Sequence, residues 1–180
     1  MPVHPSLRYW TELNTGWALF MENNLNKMES YDFYSGITYG STEPSDHGLF
    51  YGIDEYASDF VNNGLSGKYS PIQTAQWLCQ LADETEKGVA ASKKLTSNAD
   101  SAEFKAMAVD MAMLCEFARY HAQKMRSALA LALWKITNDG KQLSDSAILL
   151  DSAVKHWKAL ADMGLKYYRT ELTFYSDGLS

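Results

Sequence analysis

The residues with the most chemical potential lie between Met28 and Gly67. Eight rings fall there: Tyr31, Phe33, Tyr34, Tyr39, Phe50, Tyr51, Tyr56 and Phe60. They are interleaved with Asp32, Glu43, Asp46 and His47, and no Lys or Arg occurs in the stretch. Rings stack on the apolar C–H faces of sugars, while carboxylates take sugar hydroxyls. The segment supplies both groups. It predicts a shallow acidic groove bordered by Trp17, Tyr34, Tyr39 and Tyr51, with Glu43, Asp46 and His47 at its rim. Such a groove suits a neutral or cationic sugar; a uronic acid would meet like charge. The competing reading is structural: the same rings anchor a loop over one end of the fold, and their hydroxyls satisfy backbone groups.

Other chemistry is sparse. Gly64-Leu-Ser-Gly67 lacks the spacing and the following Lys-Ser or Lys-Thr of a phosphate loop. There is no Gly-x-Ser-x-Gly elbow. A di-iron helical site needs two Glu-x-x-His pairs, and the chain contains none. No metal, cofactor or catalytic residue is therefore assigned. An enzyme using carboxylates of the excursion, for example Glu43 and Asp46, which lie within reach of a glycosidase's separation, is a third reading behind two non-catalytic ones. His121 falls on an apolar helical stripe and is expected to be a neutral, mostly buried core-edge histidine bonded to a neighbouring helix, with a ligand or buried proton carrier as the functional alternative. Cys79 and Cys115 are expected as lone thiols, and Met107, Met111, Met113 and Met125 as core.

Four long stretches must position these groups. Leu7, Trp10, Leu13, Trp17, Phe20 or Met21, Leu25 and Met28 recur at helical spacing from Pro5 to Met28. Ser70-Pro71-Ile72-Gln73 is a capping box that starts a second helix, running to about Leu95 with Ile72, Ala75, Leu78, Ala82 and Val89 inward. Asp100 with Glu103 caps a third, to about Thr137. Asn138-Asp139-Gly140 ends it, with Gly140 as the left-handed residue. The fourth, Gln142 to Tyr168, places Leu143, Ala147, Leu150, Val154, Trp157, Ala161 and Gly164 inward. Residues 31–69, broken by Gly36, Gly40, Pro44, Gly48 and Gly52, hold one short helix at about Asp54–Asn62. The fold class is all-α: one domain over residues 1–180, an antiparallel four-helix bundle with the 31–69 excursion packed on one end.

Composition narrows the function classes. The 180 residues carry 16 basic and 22 acidic side chains. Residues 1–70 hold 3 basic and 9 acidic groups, so the whole net charge of −6 resides there. That is a poor surface for phosphates, so no nucleic-acid partner is expected. No apolar run approaches the ~20 residues of a membrane span, so no membrane partner is expected. The N-terminus lacks a basic end followed by an apolar stretch, and no signal peptide is expected.

Three stretches carry a resemblance: Leu13-Asn-Thr-Gly-Trp17, Tyr39-Gly-Ser-Thr-Glu-Pro-Ser-Asp-His-Gly-Leu-Phe-Tyr51 and Lys68-Tyr-Ser-Pro-Ile-Gln-Thr-Ala-Gln-Trp77. The chain resembles the helical region that follows the catalytic barrel in large bacterial proteins of the α-glucuronidase-like kind, which are similar to glycoside hydrolases. The resemblance implies an excised domain whose catalytic carboxylates lie elsewhere in a parent chain. Its partners would be the rest of that chain or carbohydrate. The function expected is a non-catalytic accessory or interaction domain; the alternative is a stand-alone helical protein-binding module.

Overall fold

A computed structural model describes residues 48–168 of the chain. The first expected helix, Pro5–Met28, lies outside the described residues. Those described form four helices: α1 Ile53–Val61, α2 Pro71–Leu95, α3 Ala102–Thr137 and α4 Gly140–Tyr167. The all-α class holds: among the described residues the extended structure amounts to one isolated parallel bridge, Phe50 with Tyr69.

The helix boundaries follow from local chemistry. Ser70 Oγ accepts from Gln73 N at 3.1 Å, and the Gln73 side chain accepts from Ser70 N at 2.9 Å. This is the reciprocal capping box, with Pro71 where a missing N–H costs nothing. The next cap is one residue later than the spacing suggested: Ser101, not Asp100, accepts from Phe104 N, at 3.1 Å. The α3–α4 turn also differs. Asn138, not Gly140, takes the left-handed conformation, at φ 55°. Asp139 then caps α4 by accepting from Lys141 N at 2.9 Å, and Gly140 is the first residue of α4. Asn tolerates the left-handed region because its side chain bonds locally. Gly140 is therefore spared that role.

α3 is the axis of the molecule. It runs unbroken for 36 residues, about 54 Å at ~1.5 Å each, and packs along α2, α4 and α1. The two-residue link at 138–139 and the short link at 96–101 make α2, α3 and α4 antiparallel neighbours. The main core joins Tyr51, Ile53, Tyr56 and Ala57 to Ala75 of α2 and to Ala122, Met125, Ala128, Leu129 and Ala132 of α3. The described part of the excursion is thus built into the core, at the end where α2 begins and α3 finishes.

Small residues set the phase of α4. Its buried positions are Ser146, Ala153 and Leu160. The large apolar stripe expected inward (Leu143, Leu150, Val154, Trp157) stays partly in solvent instead. The period is as expected but the face is rotated by about one residue. The reason lies at Ser127 and Ser146. Ser127 Oγ donates to Ser146 O at 2.8 Å, and Ser146 Oγ donates to Ser127 O at 3.0 Å. That close approach of backbones admits Ser and Ala and turns Leu and Trp to the flank. On α2 the same selection buries Ala75 and Ala82 and leaves Ile72 exposed.

Candidate functional site

Of the residues expected to line a ligand groove, Trp17, Tyr34, Tyr39, Glu43, Asp46 and His47 lie outside the described residues. Tyr51 is described and is 6% exposed. Its ring meets that of Tyr56 edge-on at 5.3 Å, and its hydroxyl accepts the backbone N–H of Ser66. Tyr51 therefore ties the loop before α2 to α1. Glu55 and Lys68 reinforce this with an ion pair at 2.5 Å, which raises the Lys68 ammonium above its ordinary range.

The exposed rings sit beside this anchor. Tyr69 is held by two backbone bonds: its N–H donates to Leu49 O at 2.9 Å and its carbonyl accepts from Tyr51 N at 3.0 Å. This fixes its ring against Phe50 at 5.6 Å and against Trp77 of α2 at 4.8 Å, edge to face. Tyr69 and Trp77 are 39% and 40% exposed. Phe50, Tyr69 and Trp77 thus form a rigid aromatic patch where the excursion meets α2. Sequence reasoning singled out Phe50 as a ring of the segment but missed Tyr69 and Trp77 as surface groups. The signal was present: on a helical wheel Trp77 lies well off the Ala75–Ala82 face that the helix buries.

Three other features have chemical potential. A polar belt crosses the three long helices. Arg119 Nη1 donates to Glu86 Oε1 at 2.6 Å, and Nη2 donates to Glu86 Oε2 and Asp83 Oδ1, both at 2.7 Å. Glu116 completes the belt, with Oε2 at 2.7 Å from His156 Nδ1. The Arg119 bonds hold the Glu86 carboxyl below the usual range. Beneath the belt, Cys115 Sγ lies 3.4 Å from Ala82 O, and burial pushes its thiol up. These are saturated pairs that join helices.

His121 is the second feature. It is 0% exposed, and neither ring nitrogen has a hydrogen-bond partner. Phe117 lies edge-on at 4.3 Å and Tyr120 at 5.0 Å. Burial first, and Lys124 second, push its pKa down to about 3. Lys124 is itself buried, with Nζ 4.9 Å from the Tyr120 ring centroid. The neutral imidazole is buried, as its place on the apolar stripe suggested, but the bond expected to a neighbouring helix is not made: its surroundings are the Phe117 and Tyr120 rings, and it is enclosed rather than at the core edge.

The third is an open cavity of about 450 Å³ between α2 and α3, lined by Val89, Ala90, Phe104, Ala108, Ala112 and Tyr167 among others. Its lining is mainly apolar and also includes Thr85, Glu86, Lys93, Asp100 and Lys105. Among the described residues, no group of three or more His, Cys, Asp or Glu is placed to hold a metal ion. No described helix is long and apolar enough to cross a membrane.

Comparison of the chain with protein-family models, with curated protein sequences and with solved structures gives no significant match. The likeness to the helical region of α-glucuronidase-like proteins therefore rests on the three sequence stretches alone.

Proposed function

We propose that the chain is a non-catalytic interaction domain that makes contact through the Phe50–Tyr69–Trp77 patch. The supporting observation is the pairing of exposure with rigidity in Tyr69 and Trp77. Each ring is about two-fifths open, yet their mutual geometry is set by a backbone bridge and a capped helix. Large rings held in place lose little entropy on contact, which is why aromatic side chains dominate binding surfaces. The polar belt of Arg119, Glu86, Asp83, Glu116 and His156, by contrast, is taken up in pairs that join the helices.

In its finer form the proposal places the domain in a bacterial carbohydrate-processing protein, with the patch against carbohydrate or against the catalytic domain. The ring-rich, base-free segment from Met28 to Gly67 and the sequence likeness support that form. The test is the double variant Trp77→Ala, Tyr69→Ala. Both side chains are partly exposed, so helicity by circular dichroism should hold. Neutral oligosaccharides titrated at millimolar concentration should quench tryptophan fluorescence of the native chain and leave the variant unchanged. If the patch serves a polypeptide instead, the native chain should co-migrate with a partner in size-exclusion chromatography of its own cell extract, and the variant should migrate at 20.2 kDa. A variant that behaves like the native chain in both assays contradicts the proposal.

A further inference from the structure

The cavity between α2 and α3 lies toward the far end of α2 from Tyr69 and Trp77, and it does not stop at α3. Four of its lining residues, Ala108, Val109, Ala112 and Tyr167, also line a second hollow of about 380 Å³ on the α4 side, completed by Asp162, Met163 and Lys166. The two hollows are therefore one groove across α3. Its floor is the α3 row Phe104, Ala108, Ala112, at steps of four. Two alanines keep that floor low, between Val89 of α2 and Met163 of α4. All five of these apolar residues are half-buried, so the floor is accessible. At about 450 Å³ the α2 side alone has the size of a small-molecule site.

We propose that this groove binds an amphipathic carboxylate, an unbranched acyl chain whose anionic head meets the lysines of the rim. Charge at the rim supports the sign of the head. Glu86 is already neutralised by Arg119, at 2.6 and 2.7 Å, and Asp100 lies 3.4 Å from Lys105. Lys93 of α2 and Lys166 of α4 then outnumber the one remaining lining carboxylate, Asp162. Lys166 Nζ is 5.0 Å from the ring centroid of Tyr167, which lines both halves, so an ammonium stands at the lip of the apolar floor. The floor sets the length of the tail. Phe104 to Ala112 spans about 12 Å of helix. With carbon–carbon bonds of about 1.5 Å, an extended chain of about eight to ten carbons covers that distance. Each methylene buried there adds about fourfold to affinity. A cationic head would meet like charge at the lysines, and a neutral head would gain nothing from them.

Isothermal titration of the full chain with sodium decanoate, kept below its micelle-forming concentration, tests this. Decanoate should bind one to one, and hexanoate at least about tenfold more weakly. Amide shifts on binding should fall within residues 85–112 and 162–167. Decanol should bind about three- to tenfold more weakly than decanoate, and decyltrimethylammonium more weakly still. Ala108→Leu with Ala112→Leu fills the floor with strong helix formers, so binding should be abolished while helicity by circular dichroism holds. If that pair unfolds the chain, Lys93→Gln with Lys166→Gln decides the matter, since both side chains are exposed. It should weaken decanoate about three- to tenfold and leave decanol unchanged. No binding of decanoate at millimolar concentration overturns the proposal, as does decanol bound as tightly as decanoate. Decanoate bound equally by the native chain and either folded variant overturns it as well. Sedimentation with phosphatidylglycerol vesicles in the absence of decanoate binding assigns the groove to a lipid surface, and overturns it too.

Discussion

His121 offers the sharpest energetic prediction. In the folded chain the imidazole is enclosed with both nitrogens unbonded, and its pKa is about 3. In the unfolded chain it titrates near 6.5, the ordinary value. The folded-state pKa is depressed, so this residue's share of stability is complete above about pH 6.5 and declines as pH falls toward 3. Between those values the unfolded state binds the extra proton, and each pH unit costs about 1.4 kcal/mol. From pH 7 to pH 5 the loss is about 2 kcal/mol, and it depends on the unfolded pKa alone while the folded value stays well below 5. His121→Leu conserves volume roughly and removes the titration. It also removes two unsatisfied buried nitrogens, each of which costs about 1–3 kcal/mol. The variant should therefore be more stable than the native chain at pH 7. It should also lose about 2 kcal/mol less on going to pH 5. Urea unfolding followed by circular dichroism measures both; with a slope of about 2 kcal/mol/M the second difference is about 1 M in midpoint. Groups common to both proteins, Glu86 among them, cancel in that difference. Equal pH dependence in the two proteins would refute the enclosed, unpartnered histidine.

Three further outcomes follow from the same geometry. Ser70→Ala removes the cap of α2 and should lower stability by about 0.5–2 kcal/mol in urea unfolding. Arg119→Leu breaks bonds to half-exposed partners, so its cost should be only about 1 kcal/mol and should shrink in high salt. Because the depressed Glu86 carboxyl contributes fully above about pH 4.5 and less below it, the Arg119→Leu variant should also lose part of the native acid sensitivity in that lower range. Cys115 is buried and its thiol is pushed up, so a thiol-reactive chromophore should label it only on unfolding, while the half-buried Cys79 reacts faster.

Legibility varied with how local the determining physics is. Ser70-Pro71-Ile72-Gln73 fixes the start of α2 because donor, acceptor and proline all act within four residues. The α3 start was displaced by one residue because Asp100 and Ser101 are both competent caps, and the geometry of the turn after Thr96 selects between them. Asn138 in place of Gly140 is the same kind of tie between two residues that each tolerate the left-handed region. The phase of α4 was not legible, because hydrophobicity favours burying Leu150 and Trp157, whereas the Ser127–Ser146 contact favours small residues against α3. The burial of His121 was readable from its stripe, but not its lack of a hydrogen-bond partner, which depends on the rings that tertiary packing brings against it. Tyr51 was read as a groove residue, and the structure places it in the core beneath the loop. Its ring type was informative, but its long-range partner Ser66 was not foreseeable from spacing. The exposed patch needed two elements, Tyr69 in a bridge and Trp77 on α2, that only tertiary structure brings to 4.8 Å.

The central claim is that the chain acts by contact at Phe50, Tyr69 and Trp77. It is tested most directly by placing a photo-reactive benzoylphenylalanine at position 69 in the native cell and, as control, at the exposed position 158 on α4. The account predicts one dominant covalent adduct from position 69, to a glycan or a single polypeptide, lost when Trp77→Ala is added, and none from position 158. No adduct from position 69, or the same adducts from both positions, would contradict it.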